Sequence, residues 1–237
     1  MSVSDARASR PIVYLHTGSD EKRRQYGYLF SELGLEVRPT VAVPDKREPQ
    51  VDGCGAQAEK ILVTNPLDDV ADIVEHEGLY PFVVEDTMLF IEHFNSNYAG
   101  EKILPGADTK RWWRALGPSG VLELMGDTTR RSAQYVCQIG VLIGPGDRRC
   151  FRAEVDGTIA RCVDPPTSHD DIPPGDFPRN TFFHSIFVPD GAAGTLASLD
   201  QDAFLRHDYR RRCLAGAEAP IRAVARGRVS PPVVWNR

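Results

Sequence analysis

The sequence predicts an α/β protein, and three observations carry that prediction. A short apolar strand, Ile12–His16, runs through Thr17-Gly18-Ser19 into a segment with helical apolar spacing. Phe82, Val83 and Val84 form an unbroken apolar run, the pattern of a strand covered on both faces. Two long β runs, Ser132 to Ile143 and Arg149 to Val155, flank the turn sequence Gly144-Pro145-Gly146-Asp147 and read as a hairpin.

The elements follow in order. After Ser19 a helix places Tyr26, Leu29, Phe30 and Leu33 on one face, and Gly34 closes it. Leu35 to Arg38 reads as a second strand, and Ala56 to Leu62 as part of a second helix. The Phe82 strand is expected to surface at Glu85-Asp86, with the two carboxylates on opposite sides because side chains alternate along a strand. Ala107 to Leu116 and Gly120 to Met125 read as helices broken by Gly117-Pro118-Ser119. Asp164 to Arg179, rich in Pro, Asp and Gly, is a long loop, and a last helix runs from Asp200 to about Leu214. No linker divides the chain, so residues 11–227 are expected to form one domain between a lead-in, 1–10, and a tail, 228–237.

Composition narrows the function classes. With 237 residues the chain can bury a sizeable core. A net charge of -5 gives no basic footprint, which argues against a nucleic-acid polymer as partner. Five cysteines, Cys54, Cys137, Cys150, Cys162 and Cys213, show no C-x-x-C spacing, so neither a zinc site nor a disulfide framework is expected and a reducing cytoplasm fits. No apolar stretch approaches the roughly 20 residues that span a bilayer.

Two constellations carry candidate chemistry. Of Glu85 and Asp86, one can hold a hard cation such as Mg²⁺ while the other positions a loop; the alternative is a solvated strand end. In Thr17-Gly18-Ser19-Asp20-Glu21-Lys22, a glycine after a strand, a helix N-terminus and a lysine together suit phosphate oxygens. Plain capping by Ser19 or Asp20, with Lys22 in solvent, is the alternative there.

Val84-Glu85-Asp86-Thr87-x-Leu89 followed by Leu104-Pro105-Gly106 resembles the "VEDtgL…lPG" signature of the inosine triphosphate pyrophosphatase (Ham1-like) family, which hydrolyses non-canonical purine nucleoside triphosphates. Thr17-Gly18-Ser19-x-x-Lys22 is similar to that family's T-G-N-x-x-K loop. Ile186 to Gly191, with Thr195-x-Ala197, is similar to its "iF.PdG…T.Ae" segment. The resemblance implies a long central mixed sheet with flanking helices, two lobes around a cleft and a homodimer. It implies phosphate contacts from Thr17, Ser19 and Lys22, a catalytic, metal-binding Asp86 with Glu85 as second base, and a further metal ligand at Asp45.

The chain also departs from the family. The base-reading segment G-F-G-[YW]-D-P-x-F corresponds to Asn180-Thr181-Phe182-Phe183-His184-Ser185-Ile186-Phe187, which keeps aromatics but loses the glycines, Asp and Pro. The later K-N-x-x-S-H-R motif aligns with Asp202 to Asp208 and keeps only His207. Phe183, His184, Arg206 and His207 are therefore the candidate base-binding residues, with Arg210 as a replacement phosphate contact. The aromatics read equally as core, and His184 as a satisfied buried histidine.

The expectation is a Mg²⁺-dependent, cytoplasmic nucleoside triphosphate pyrophosphohydrolase, with no membrane partner, whose base specificity differs from inosine or xanthosine. A weak nucleotide-binding or regulatory protein that kept the fold is the rival reading. Trp112 and Trp113 fit packing or subunit contact.

Overall fold

The computed structural model describes residues 10–40, 56–96, 104–165, 177, 181 and 183–227, with backbone alone for 56–65. Its frame is a mixed seven-stranded sheet. β1 (Ile12–His16) pairs in parallel with β2 (Glu36–Pro39) and with β3 (Phe82–Ile91). The two-residue β4 (Pro105–Gly106) and β5 (Ser132–Gly144) both lie antiparallel to β3. The hairpin continues into β6 (Asp147–Ile159), and β7 (Phe187–Pro189) adds the last edge.

α1 (Asp20–Glu32) and α6 (Tyr209–Gly227) share the larger core with one sheet face, through Tyr26, Leu29 and Phe30 from α1 and Cys213, Leu214, Ala217 and Ile221 from α6. α2 (Ala56–Glu77) covers the other face, with Leu67, Val70 and Val74 against Phe82, Val84 and Leu142. α3 (Glu92–Asn95) follows β3 directly. α4 (Thr109–Met125) holds a kink at Gly117, whose φ of 61° suits glycine and supplies the break read from Gly117-Pro118-Ser119. α1 ends at Glu32, and Gly34 takes a left-handed φ of 73° just beyond it.

Two expectations change. β3 does not surface at Glu85; it continues to Ile91, paired with β5 all the way from Phe82 to Ile91. The acidic pair thus lies inside a central strand, where Glu85 is 3% exposed. Nor is the C-terminal helix single. α5 (Gln201–His207) stops at Asp208, which is extended at φ -70°, ψ 115°, and α6 restarts at Tyr209. The cause is the Asp208 side chain, which accepts the main-chain N–H of Arg210 at 3.0 Å and of Arg211 at 3.2 Å and so caps the second helix.

β6 and β7 approach closely at Gly157. A β-carbon built there would stand 2.3 Å from the Val188 carbonyl oxygen and 2.8 Å from Phe187 Cζ. Gly157→Ala is therefore expected to push β7 outward and destabilise the fold by about 1–3 kcal/mol, a fall of roughly 2–12 °C in Tm by scanning calorimetry. An unchanged Tm would mean that β7 does not sit as described.

Candidate active site

The alternation of β3 sends Glu85 toward α1 and α6, alongside Val83, and Asp86 to the face shared with Val84. Lys22, in the first turn of α1, reaches both. Its Nζ lies 2.9 Å from Glu85 Oε2 and 3.6 Å from Asp86 Oδ1, and it also donates to the Glu85 carbonyl oxygen at 3.4 Å. Arg210 approaches Glu85 from α6, with Nε 3.4 Å from Oε1. The Thr87 hydroxyl donates to the same oxygen, and the Cys137 thiol lies 3.7 Å from it.

Exposure separates the two carboxylates. The Glu85 side chain is 1% exposed, that of Asp86 25%, and that of Lys22 12%. Asp86 is thus the carboxylate that meets solvent, with the Thr87 N–H donated to its Oδ1 at 2.9 Å.

Charge balance explains how Glu85 tolerates its position. Burial pushes its pKa up, but Lys22, Arg210 and the Thr87 hydroxyl outweigh that and hold it at about 2, below the ordinary 4.5. For Lys22, burial acts to lower the pKa, and the carboxylates of Glu85 and Asp86 reverse this and raise it. Asp208 goes the other way, pushed up to about 6 by burial despite Arg210, the α6 N–H groups and Gln25.

These shifts fix a pH dependence of stability. Glu85 binds its proton near 4.5 in the unfolded chain and near 2 in the folded one, so its contribution is complete above 4.5 and drains away as pH falls between those values. The full contribution is about 3 kcal/mol. Asp208 opposes it at higher pH, weakening the fold as pH rises from 3.8 through about 6. Urea unfolding of Glu85→Gln against pH is expected to show a flattened acid limb below 4.5, and an unchanged limb would place the acid sensitivity elsewhere.

The other candidates fall into three groups. Thr17 and Ser19 form the turn before Lys22: the Thr17 hydroxyl accepts the Ser19 N–H at 3.2 Å, and Ser19 Oγ caps α1 by accepting the Lys22 N–H at 3.3 Å. Capping is thus what Ser19 does here, while Lys22 turns inward instead of into solvent. Phe183 and His184 are fully buried. His184 Nε2 is 2.8 Å from the Tyr209 hydroxyl and Nδ1 is 3.2 Å from the Thr181 hydroxyl, the arrangement of a satisfied core histidine within an aromatic cluster that includes Tyr135 and Phe204. Arg206 is exposed and His207 half-buried at the end of α5. Asp45 lies outside the described residues, as does Phe182.

Arg210 is where the alignment and the structure part. Matching K-N-x-x-S-H-R to Asp202–Asp208 put Asp208 in the arginine's place. The guanidinium that enters the site is instead Arg210, two residues on, because Asp208 is spent on starting α6. Gln25 was missed altogether. Its signal was a polar residue on the apolar face of α1, next to Tyr26 and three residues past Lys22.

Among the described residues no group of three His, Cys, Asp or Glu is placed to hold a metal ion, and no helix is long and apolar enough to cross a membrane. Cys137, Cys150, Cys162 and Cys213 are free thiols.

Comparison with known proteins gives a consistent result. The family model for the Ham1 family matches residues 13–219. The dITP/XTP pyrophosphatase of Ignicoccus hospitalis is 27% identical over 206 residues, covering 84% of this chain and 91% of the relative. The inosine triphosphate pyrophosphatase of Chaetomium globosum is 28% identical over 209 residues, covering 88% and 91%. A HAM1 protein from Coxiella burnetii shares the fold with a TM-score of 0.63 at 20% identity, over 90% of this chain and 98% of that one. With a match that spans most of its length, from β1 into α6, this chain belongs to the Ham1 family.

Proposed function

We propose that this protein is a nucleoside triphosphate pyrophosphatase that cleaves between the α and β phosphates, releasing a nucleoside monophosphate and pyrophosphate. The observation that carries the reading is Lys22, held at the head of α1 within 2.9 Å of Glu85 and 3.6 Å of the half-buried Asp86, in a chain matching the Ham1 family along most of its length. The names of the relatives, dITP/XTP pyrophosphatase and inosine triphosphate pyrophosphatase, support the same substrate class.

The residues divide the work. The Thr17-Gly18-Ser19 turn and the N-terminus of α1 receive the phosphates, and Lys22 adds a full positive charge beside them. Asp86 orients the water that adds to the α-phosphorus as the bond to the bridging oxygen breaks, and it takes the water's proton. Glu85, buried and held ionised, fixes Lys22 from below.

An exposed carboxylate beside a phosphate site suits Mg²⁺, which is held by one or two carboxylates together with substrate oxygens. Asp86 would provide that ligand, and Asp45 is the second candidate. The cation would neutralise charge on the phosphates and leaving group. A homodimer, on the family resemblance, and a cytoplasmic location, on the cysteine pattern, belong to the same proposal.

Base specificity altered from inosine or xanthosine is part of the reading. Phe183 and His184 align with the segment by which the family reads the base, and here His184 has both ring nitrogens engaged in the core, by Tyr209 and Thr181, so a base must be read by other groups. A site with a different donor set rejects bases by leaving its own buried groups unpaired. Pyrophosphate release with Mg²⁺ across canonical, deaminated and modified ribo- and deoxyribonucleoside triphosphates tests the whole proposal. Release from some of them, lost in Asp86→Asn, is expected. Nucleotide binding with no release from any would make this a binding protein.

A further inference from the structure

Gln25 uses both ends of its amide in the interior. It is 3% exposed; its Oε1 accepts from Arg210 Nη1 at 2.8 Å, and its Nε2 donates to Asp208 Oδ2 at 2.7 Å. The orientation follows from the partners, because a guanidinium only donates and an ionised carboxylate only accepts. Asp208 also binds the main-chain N–H of Arg210 at 3.0 Å. Arg210 is therefore gripped twice, at its backbone by Asp208 and at its head by Gln25. Its Cζ lies 4.9 Å from the centre of the Tyr209 ring, and its Nη2 is buried with no hydrogen-bond partner.

That grip bears on Lys22. Glu85 has two cations, Arg210 on Oε1 at 3.4 Å and Lys22 on Oε2 at 2.9 Å, and Lys22 is also the cation beside Asp86. If Arg210 left its place, buried Glu85 would draw Lys22 wholly onto itself, since an uncompensated buried carboxylate is costly. An amide is suited to the task because it adds no charge. A glutamate at 25 would set a second carboxylate against Asp208 within hydrogen-bonding distance.

We propose that Gln25, acting with Asp208, is a positioning residue for the hydrolytic site: it fixes Arg210 on Glu85 so that Lys22 remains available to the triphosphate at Asp86. This rests on the pyrophosphatase reading above. The relay is electrically polarised, so it can be exchanged. Gln25→Glu alone repels Asp208 and Asp208→Asn alone loses the acceptor charge, whereas the double variant restores one carboxylate and one amide in swapped order, giving up only the Arg211 N–H bond that Asp208 Oδ2 also accepts at 3.2 Å.

The test measures KM and kcat for pyrophosphate release, together with the ¹⁵N–¹H signal of Arg210 Nε, assigned by its loss in Arg210→Lys. Gln25→Met is expected to raise KM roughly tenfold with kcat within about threefold, and to move the Arg210 signal. The Gln25→Glu, Asp208→Asn double variant is expected to recover both in part relative to either single variant, the shortfall being the lost Arg211 N–H bond. A Gln25→Met enzyme with unchanged KM and an unmoved Arg210 signal overturns the proposal, as does a double variant no better than the worse single one. If the wild-type protein hydrolyses none of the triphosphates, the pyrophosphatase reading fails separately. The Arg210 signal then decides the relay: moved in Gln25→Met and restored by the swap, it stands; unmoved, it falls.

Discussion

Asp86→Asn is expected to lower the rate of pyrophosphate release by about 10²–10⁴-fold, the span associated with losing a general base. The fold should barely register the change. Asp86 is 25% exposed, its ion pair to Lys22 is long at 3.6 Å, and Lys22 keeps the shorter pair to Glu85 at 2.9 Å, so the loss is expected to be about 1 kcal/mol or less. The asparagine Oδ1 still accepts the Thr87 N–H that Asp86 accepts at 2.9 Å, so the strand geometry has no reason to shift. What the amide cannot do is take a proton from water or supply the charge that a hard cation requires. Parallel measurement of turnover and of Tm is decisive: lost turnover with retained Tm is the expected pair. Turnover within a few-fold of the parent would remove Asp86 from the chemistry and shift attention to Asp45.

Arg210→Met should do the reverse, acting first on stability. Among the described residues, Arg210 is one of the largest fully buried side chains and, with Lys22, one of two cations that keep Glu85 ionised in the interior. Methionine fills much of the volume but leaves Glu85 with Lys22 alone, and it leaves the Gln25 carbonyl without the donor it meets at 2.8 Å. Breaking a buried pair from one side costs about 3–5 kcal/mol. For a domain of this size that is a Tm lower by roughly 6–20 °C. The mechanism can be isolated with a double-mutant cycle, because Glu85→Gln removes the charge that Arg210→Met strands. The double variant is expected to be more stable than Arg210→Met alone. Simple additivity of the two losses would show that the residues do not interact and that Arg210 contributes by packing only.

The two substitutions differ because β3 carries adjacent carboxylates to opposite faces of a sheet that is covered unequally. The larger core, with α1 and α6, closes over Glu85, while Asp86 keeps a quarter of its side chain in solvent. Nothing in the pair of letters at 85 and 86 distinguishes them.

Much of the frame is local in origin and was therefore legible in the chain itself. Apolar periodicity gave β1, α1 and the β5–β6 hairpin, glycine at positions of positive φ marked the end of α1 and the kink of α4, and the motifs gave the family. The Lys22 turn and the acidic pair at 85 and 86 stood out by spacing, but singling out Lys22 and Asp86 rested on the family resemblance. Three features depended on partners distant in sequence. Glu85 reads as a strand end until Arg210, 125 residues later, neutralises it within the core. Gln25 reads as a misplaced polar residue on an apolar face until Asp208, 183 residues away, accepts its amide. Arg210, one of three consecutive arginines, becomes a buried cation only through Glu85 and Gln25, while Arg211 and Arg212 stay at the surface. Local pattern determines where a strand or helix can form, since that depends on neighbours along the chain. Which charges can be buried is decided only by tertiary structure, because each requires an opposite charge or hydrogen bond supplied from elsewhere in the fold.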